Sequence, residues 1–357
     1  MGHNFQSGFC MKLVWPVIIG LIFPLSLNAD YLQHPDAKVF ADRMVSEHGF
    51  ERSEVEALLM AATKKQSIID AMTRPAEKVK PWKDYRNIFI QEKRIDQGVK
   101  FWLENREALQ RASKEYGVAP EVIVAIIGVE TFYGRIKGSF RVIDALSTLS
   151  FDYPKRSAFF TKQLEHFLLL AREQGQAPLS LTGSYAGAMG YGQFIPSSYR
   201  SFAVDFDGDG FADIWNNKTD AIGSVANYFA KHGWKLGEEV VRRADAKKGY
   251  DTTWLNKLTL EKTIDELAVM GFTPEKPLQG DLKALPLLLQ GKRGEEFWLG
   301  LNNFYVITRY NHSRLYAMAV HDLSQLILAR VGGSLAAQDV EGGKVGSSNI
   351  SGVNTGV

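Results

Sequence analysis

The sequence is poor in cysteine and has almost no excess charge, and both deficits exclude classes of protein. Cys10 is the only cysteine among 357 residues, which rules out an internal disulfide framework and a structural zinc site with two or more thiolates. The 42 basic and 40 acidic side chains give a formal net charge of +2. Binding nucleic acid through a basic face needs a clear excess of Lys and Arg, so we expect no nucleic-acid partner.

The apolar run near the start of the chain is short for a membrane span, which needs about 20 apolar residues. Lys12 precedes apolar residues 13–27, which two prolines interrupt, and Ala29 is a small residue suited to cleavage. This order is typical of a secretory signal peptide, so we expect cleavage after Ala29. Cys10 lies ahead of the run, whereas a lipid-attachment cysteine would have to follow it. No stable membrane anchor is therefore expected.

Residues 117–134 predict a buried helix that ends near a carboxylate. Pro120 suits the first helical position, and residues 122–129 are apolar on every face, which is typical of a helix buried all round. Glu130 follows them. Burial and the negative end of the helix dipole both raise a carboxyl pKa toward the neutral range that a general acid needs. The alternative is a structural Glu130 that pairs with Arg135 or caps a neighbouring loop.

Residues 181–196 are rich in glycine and aromatic side chains. Four glycines within ten of these residues let the backbone approach another backbone or a ligand closely. Tyr185, Tyr191 and Phe194 supply flat faces of the kind that stack on sugar rings, and the Gln193 amide can orient a hydroxyl or an acetamido group. No Gly-Lys-Ser/Thr follows, so this is not a phosphate loop. The alternative is a tight turn between packed helices.

Residues 205–213 have the spacing of an EF-hand calcium loop. Glycine stands at loop position 6, and the carbonyl of Phe211 falls at position 7. Position 12 is Asn216 instead of a bidentate Glu, which predicts either modest affinity or a later carboxylate, such as Asp220, that completes the shell. The alternative is an exposed acidic loop with no specific ion. The acidic residues at positions 1, 3, 5 and 9 are Asp205, Asp207, Asp209 and Asp213.

Five sequence blocks occur in a fixed order between about residue 35 and about residue 330. Together they identify a protein family more specifically than any one block does. They are residues 129–135 (VETFYGR), 144–154 (DALSTLSFDYP), 183–194 (GSYAGAMGYGQF), 220–229 (DAIGSVANYF) and 303–313 (NFYVITRYNHS). The chain thereby resembles the membrane-bound lytic murein transglycosylase B family. The resemblance implies an α+β, predominantly helical protein with a lysozyme-like catalytic core, a flanking helical domain and a small β-containing domain.

The resemblance further implies a periplasmic enzyme that cleaves the β-1,4 bond between N-acetylmuramic acid and N-acetylglucosamine, with peptidoglycan glycan strands as its partner. By position, it implies that Glu130 is the single acid/base. Together with the motifs, it predicts substrate contacts from Ser184, Tyr191, Gln193, Phe194, Tyr228, Tyr310 and Asn311. It predicts a structural calcium ion held by Asp205, Asp207, Asp209, Phe211 and Asp220, and no cofactor for catalysis. Protein partners in wall synthesis or division are not identified by the sequence.

Most glycosidases place two carboxylates across the scissile bond, about 5–5.5 Å or about 6.5–9.5 Å apart. Glu130 has no evident acidic companion in the cleft motifs, and we expect Asp144 and Asp152 to be structural. One carboxyl suffices if it protonates the leaving oxygen and then deprotonates the C6 hydroxyl of muramic acid, which closes on C1 to give a 1,6-anhydro sugar. A hydrolytic muramidase of the same fold and a non-catalytic peptidoglycan-binding protein remain alternatives. The side chains expected to stack on sugars are Tyr133, Tyr191, Tyr228 and Tyr310.

Composition and motif order divide the chain into six predicted segments. They are a signal peptide (1–29), a helical domain (30–110), the catalytic core with the calcium loop (111–235), a small β-containing domain (236–300), a C-terminal segment that returns to the core (301–331) and a flexible tail (332–357). The tail is predicted because Gly, Ser, Asn and Val recur there without helical periodicity. Residues 95–116 are expected to form one long helix.

Overall fold

The computed structural model describes residues 31–73 and 80–345, so the predicted signal peptide lies outside the described residues. The described part confirms the predominantly helical α+β class, and none of its helices is both long and apolar enough to span a bilayer. Its α-helices are α1 (Pro35–His48), α2 (Arg52–Ala61), α3 (Gln66–Thr73), α4 (Trp82–Phe89), α5 (Glu92–Glu104), α6 (Arg106–Tyr116), α7 (Pro120–Thr131), α8 (Val142–Phe151), α9 (Ser157–Glu173), α10 (Pro196–Phe202), α11 (Lys218–Lys231), α12 (Ile264–Val269), α13 (Asn302–Tyr310) and α14 (Arg314–Val345). Its strands are β1 (Phe140–Arg141), β2 (Thr182–Gly183), β3 (Val241–Ala246), β4 (Lys262–Thr263), β5 (Phe272–Pro274), β6 (Lys283–Gly291) and β7 (Gly294–Gly300).

Helix α7 lies at the centre of the helical body. Its residues from Val122 to Val129 are all buried, and it packs against α5, α6, α11 and α14. This is the arrangement that an apolar surface on every face requires, since such a helix has no side to present to water. The catalytic candidate Glu130 therefore follows directly on the buried segment of a central helix.

The single helix expected over residues 95–116 is divided in two. Asn105 separates α5 from α6 with a non-helical backbone (φ −120°, ψ 26°). Its side-chain amide donates to the carbonyl of Phe101 (2.7 Å), the same carbonyl that accepts from the backbone N–H of Asn105 (3.1 Å). Asn competes with helical hydrogen bonding in this way, so the apolar stripe continues while the helix does not.

The small β-structure is an antiparallel five-stranded sheet in the order β4-β6-β7-β3-β5. The alternation along β6 assigns its side chains to two cores, because successive side chains point to opposite faces of a sheet. Leu285, Leu287 and Leu289 join the main core. On the other side, Ala284 packs in a second core with Ala244, Ile264, Leu267, Phe272, Leu299 and Leu301.

Asn303 fastens the chain where it leaves the sheet and returns to the helices. It is fully buried, and its amide group donates to the carbonyls of Lys235 (2.7 Å) and Glu238 (3.0 Å). Its Oδ1 accepts from the N–H of Lys235 (2.9 Å). One side chain thus joins the segment before β3 to the segment after β7. From there α13 leads into α14, which packs on α7.

Helix α14 corrects the predicted flexible tail. The tail was expected from Gly332, yet the helix continues to Val345. A glycine inside a helix costs only about 1 kcal/mol relative to alanine, and the helix is anchored by Val331, which is buried immediately before the paired glycines. Residues 346–357 lie outside the described part of the chain.

Candidate active site

Glu130 lies in the last turn of α7, where the backbone makes an unusual exit. Phe132 (φ 51°), Tyr133 (φ 60°) and Gly134 (φ 85°) follow in the left-handed region. Two successive non-glycine residues in that region carry strain, which is typical of functional sites. The Thr131 hydroxyl contributes to the exit by accepting from the N–H of Gly134 (3.0 Å) and donating to the carbonyl of Tyr191 (3.0 Å). This bond ties the end of α7 to the glycine-rich segment.

The Glu130 carboxyl has the proton affinity that acid/base catalysis needs. Burial raises the pKa of Glu130 to about 7, although a hydrogen bond from the Tyr316 hydroxyl acts in the opposite direction. The distance between the Tyr316 hydroxyl and Glu130 Oε1 is 2.6 Å. A carboxyl with this pKa exchanges its proton near neutral pH, so one group can act first as an acid and then as a base.

Sequence reasoning did not identify Tyr316 or Tyr85 as site residues. Tyr316 is buried in the first turns of α14, and burial together with the charge of Glu130 raises its pKa well above the usual range. Burial, and after it the charge of Glu130, also raises the pKa of Tyr85 on α4. The sequence did contain one signal for this role: Tyr316 lies among the apolar residues of α14, and a buried tyrosine hydroxyl usually has a polar partner.

The two other carboxylates that were considered are held in structural contacts. Asp144 is 2% exposed and binds Arg141 through both carboxylate oxygens (2.7 and 2.9 Å). It also accepts from the N–H of Thr63 (2.9 Å). Asp152 accepts from the Tyr31 hydroxyl (2.7 Å) and pairs with Lys64. Neither carboxylate contributes to the pKa shift of Glu130.

The glycine-rich segment folds as a compact turn beside the end of α7. Ser184 Oγ accepts from the N–H groups of Ala186 (3.3 Å) and Ala188 (3.0 Å). At Gly190 (φ 68°) a Cβ atom would lie 2.3 Å from the carbonyl oxygen of Ile214, so this close approach requires glycine. Gln193 also has a left-handed backbone (φ 52°), and its amide group donates to the carbonyls of Lys137 (3.2 Å) and Gly190 (3.0 Å).

Three predicted substrate-contact residues form one aromatic cluster. The Phe194 ring centroid lies 5.9 Å from that of Tyr228 and 6.0 Å from that of Tyr310, and the two tyrosines meet edge to face at 4.7 Å. Their hydroxyls bind backbone: Tyr228 donates to the carbonyl of Arg309 (2.6 Å) and Tyr310 to that of Gly192. Burial and the charge of Glu130 raise the Tyr310 pKa, so Tyr310 lies within electrostatic range of the carboxyl. Asn311 follows it and is exposed.

The prediction that four tyrosines present stacking faces needs correction. Tyr133, Tyr191 and Tyr228 are only 9, 8 and 7% exposed, so most of each ring is covered by protein. The Tyr133 hydroxyl donates to the carbonyl of Arg94 (2.9 Å). These rings support the wall of the site because their neighbours occupy the faces that a sugar would need. Tyr310 is partly exposed.

Four carboxylates converge around the acidic loop and the start of α11. One oxygen from each lies within 4.8 Å of the others. Asp220 is buried and is oriented by the N–H groups of Phe206 (2.7 Å) and Asp213 (2.9 Å). Carboxylate oxygens are the ligands that calcium prefers, so these residues fit that ion. The four are Asp205, Asp207, Asp209 and Asp220.

Two other residues of the predicted loop have local roles. The Phe211 carbonyl accepts from the N–H of Asp213 (2.8 Å). Asp213 lies outside the cluster and accepts from the N–H groups of Trp215 and Asn216 (both 2.9 Å). The EF-hand spacing therefore identified three of the four converging carboxylates, and the fourth comes from the following helix, as the alternative involving Asp220 had allowed.

Comparison with known proteins shows the family of this chain. The chain matches the family described as "Transglycosylase SLT domain" over residues 33–325. It is 46% identical over 317 residues to membrane-bound lytic murein transglycosylase B of Escherichia coli (strain K12), covering 86% of this chain and 87% of that protein.

Solved structures extend the similarity to the fold. Lytic transglycosylase SltB1 from Pseudomonas aeruginosa is 52% identical with a TM-score of 0.83, covering 85% of this chain and all of that chain. Escherichia coli lytic transglycosylase Slt35 in complex with calcium is 47% identical with a TM-score of 0.77, covering 85% and 96%. SltB3 from Pseudomonas aeruginosa, in complex with NAG-NAM-pentapeptide, is 31% identical with a TM-score of 0.72, covering 81% and 77%. The chain belongs to the SLT-domain family of lytic transglycosylases and shares its lysozyme-like fold.

Proposed function

We propose that this enzyme cleaves the glycan strands of peptidoglycan without water, at the β-1,4 bond between N-acetylmuramic acid and N-acetylglucosamine. The observation that carries the proposal is a single, partly exposed carboxyl, Glu130, whose pKa is raised by burial to about 7 with no acidic partner among its perturbing groups. Similarity to a murein transglycosylase and to a protein crystallised with a NAG-NAM-pentapeptide supports the substrate class.

The proposed reaction has two proton transfers through Glu130. The protonated carboxyl first donates to the glycosidic oxygen as the bond from that oxygen to C1 of muramic acid breaks, which releases the O4 hydroxyl of N-acetylglucosamine. The resulting carboxylate then takes the proton of the muramic acid C6 hydroxyl while O6 bonds to C1. Glu130 ends protonated, and the product carries a 1,6-anhydro ring, so atoms balance without water.

The neighbours of Glu130 suit both halves of this cycle. Burial favours the acid form that starts the reaction, and the Tyr316 hydroxyl stabilises the carboxylate that follows. We assign substrate contact to the surrounding wall, with Tyr310 and Asn311 offering accessible groups and Tyr191, Phe194 and Tyr228 supporting them. Ser184 and Gln193 are assigned to the same wall, since their turn is tied to the end of α7 through Thr131.

Glu130→Gln tests the assignment because glutamine keeps the shape and cannot transfer the proton. We expect lytic activity on purified sacculi to fall by roughly 10²–10⁴-fold, the usual contribution of general acid–base catalysis. Glu121→Gln is the matched control, since Glu121 is a partly buried carboxyl at the opposite end of the same helix, with its pKa also raised by burial. Full activity of Glu130→Gln would contradict the assignment, and absence of activity in the parent chain would favour the non-catalytic binding protein.

We also propose that the four converging carboxylates hold calcium as a structural ion. The support is the set of hard oxygen donors within 4.8 Å and the calcium complex of Slt35. The residues join the loop to α11, so a bound ion would stabilise their packing by offsetting carboxylate repulsion. No step of the proposed reaction passes through it.

Finally, we propose that the enzyme acts in the periplasm after removal of residues 1–29. The relative named as a murein enzyme supports an envelope location, and the substrate is a wall polymer. Fractionation of expressing cells should place a protein beginning at Asp30 in the periplasmic fraction. A cytoplasmic full-length protein would contradict export.

A further inference from the structure

A cavity of about 230 Å³ lies between the acidic loop and the glycine-rich segment, outside the group of residues around Glu130. Its lining combines neutral hydrogen-bonding side chains with two aromatic rings. The Phe211 and Trp215 rings are nearly parallel, at 18° and 6.3 Å between centroids. The neutral polar side chains are Gln176, Ser180, Thr182 and Asn216. Trp215 is only 6% exposed, so the partly exposed Phe211 supplies the accessible aromatic face. Amides and hydroxyls beside such a face are the chemistry that recognises a sugar ring.

The charged groups of the cavity already have partners within the protein. Lys137 donates to the carbonyl of Trp215, and its ammonium lies 4.8 Å from the centre of the Tyr191 ring. Asp213 accepts from the N–H groups of Trp215 and Asn216. The side chains of Thr182 and Asn216 are exposed, and neither has a hydrogen-bond partner among the described residues. The lining thus favours a neutral ligand over an ion.

The cavity shares a wall with the proposed cleft. Lys137 lines the cavity, and its carbonyl accepts from the cleft residue Gln193 (3.2 Å). Thr182 also lines the cavity, lies two residues before Ser184, and accepts at its carbonyl from the indole N–H of Trp215 (2.9 Å). A glycan strand that contacts Gln193 and Ser184 therefore lies next to this cavity.

We propose that the cavity is a distal subsite that binds one N-acetylated sugar ring of a glycan strand whose scissile bond lies at Glu130. Clefts for drug-sized ligands occupy about 300–1,000 Å³, so a cavity of about 230 Å³ suits a single ring. This assignment rests on the proposed function for the identity of the strand. The subsite makes affinity depend on strand length, because a short glycan fills only the positions beside Glu130.

The test measures sugar binding to the full-length Glu130→Gln chain, which separates binding from turnover. Calorimetry compares a peptide-free GlcNAc-MurNAc disaccharide with the tetrasaccharide of two such units. We expect Thr182→Ala with Asn216→Ala to weaken tetrasaccharide binding roughly tenfold, as loss of two modest hydrogen bonds implies, and to leave disaccharide binding unchanged. Gln290→Ala, an exposed amide on β6 outside the cavity, is the control and should change neither.

A second readout is the indole N–H resonance of Trp215, which should shift when the tetrasaccharide is added. Undiminished tetrasaccharide binding by the double variant with an unmoved Trp215 resonance overturns the subsite and leaves the proposed function intact. Equal weakening of both sugars also overturns it. If the parent chain binds neither sugar, the subsite and the proposed function fall together.

Discussion

Glu130 and Tyr316 are 186 residues apart in the sequence, yet their side chains share a hydrogen bond of 2.6 Å. The position of Glu130 was predictable because an all-apolar helix indicates burial, and burial raises a carboxyl pKa. Its partner was not, since the packing of α14 on α7 is a tertiary contact that helix periodicity does not specify. The same limit applies to Tyr191 and Tyr228, whose aromatic character was evident while the burial of their faces was not.

The raised pKa of Glu130 predicts the pH dependence of activity. The acid form starts the reaction and predominates below the pKa of about 7, so kcat/KM should fall about tenfold per pH unit above that value. Rates measured across pH 5 to 9 with soluble glycan strands check this. A rate that stays constant to pH 9 would show that Glu130 does not act in its protonated form.

Tyr316→Phe should shift this alkaline limb upward. The hydroxyl lowers the Glu130 pKa by stabilising the carboxylate, so its removal raises that pKa. A hydrogen bond to a charged group contributes about 1.5–3 kcal/mol, and 1.36 kcal/mol corresponds to one pKa unit, so the shift should be about one to two pH units. Tyr310→Phe is the control, because that hydroxyl donates to the carbonyl of Gly192. Equal shifts in both variants would contradict the role of Tyr316.

The elements were predicted better than their junctions. Pro120 and the apolar residues after it predicted α7 closely. The sequence interpretation was wrong in expecting one helix through Asn105 and a flexible tail from Gly332. Both errors arise where a local signal and packing disagree: an apolar stripe continues through a broken helix, and a glycine pair lies inside a continuous one. The exit from α7 belongs to the same class, since its left-handed backbone at Phe132 and Tyr133 depends on surrounding contacts.

Gly134→Ala tests how tightly the α7 exit is built. A Cβ atom there would lie 2.1 Å from the Tyr191 ring, on a backbone with φ 85°. Left-handed strain and overpacking together should lower the free energy of unfolding by roughly 2–5 kcal/mol. Gly117→Ala is the matched control, with a similar φ of 65° and no atom within 4 Å, and should cost only about 1–2 kcal/mol. Urea unfolding measures both, and equal losses would show that the contact with Tyr191 is not constraining.

At the scale of the whole molecule, two buried polar side chains, Asp220 and Asn303, connect the helical core to the acidic loop and to the sheet. Asp220 is buried on α11 while its three partners lie on an exposed loop, so the cluster connects surface to core. The sequence predicted these carboxylates from EF-hand spacing, but their convergence depends on the orientation of α11, which spacing does not specify. Asn303 likewise connects the sheet to the helices, through its hydrogen bonds to the carbonyls of Lys235 and Glu238, and the sequence did not predict this role.

Calcium removal should therefore affect stability. A ligand present at 100 times its dissociation constant stabilises the native state by about 2.7 kcal/mol, so chelation should lower the melting temperature by several degrees. Asp205→Asn, which alters one converging carboxylate, should melt at a temperature that responds far less to chelator. An identical melting curve for the parent protein with and without chelator would count against the metal site.

The central claim is that one carboxyl cleaves the bond without water. The most direct test digests purified sacculi in ¹⁸O-enriched water and measures the masses of the released muropeptides by mass spectrometry. The account predicts anhydromuramoyl products that are one water lighter than reducing-end products and that carry no ¹⁸O from the cleavage step. Reducing-end muramic acid labelled with ¹⁸O at C1, formed by the intact enzyme, would contradict it and identify a hydrolytic muramidase.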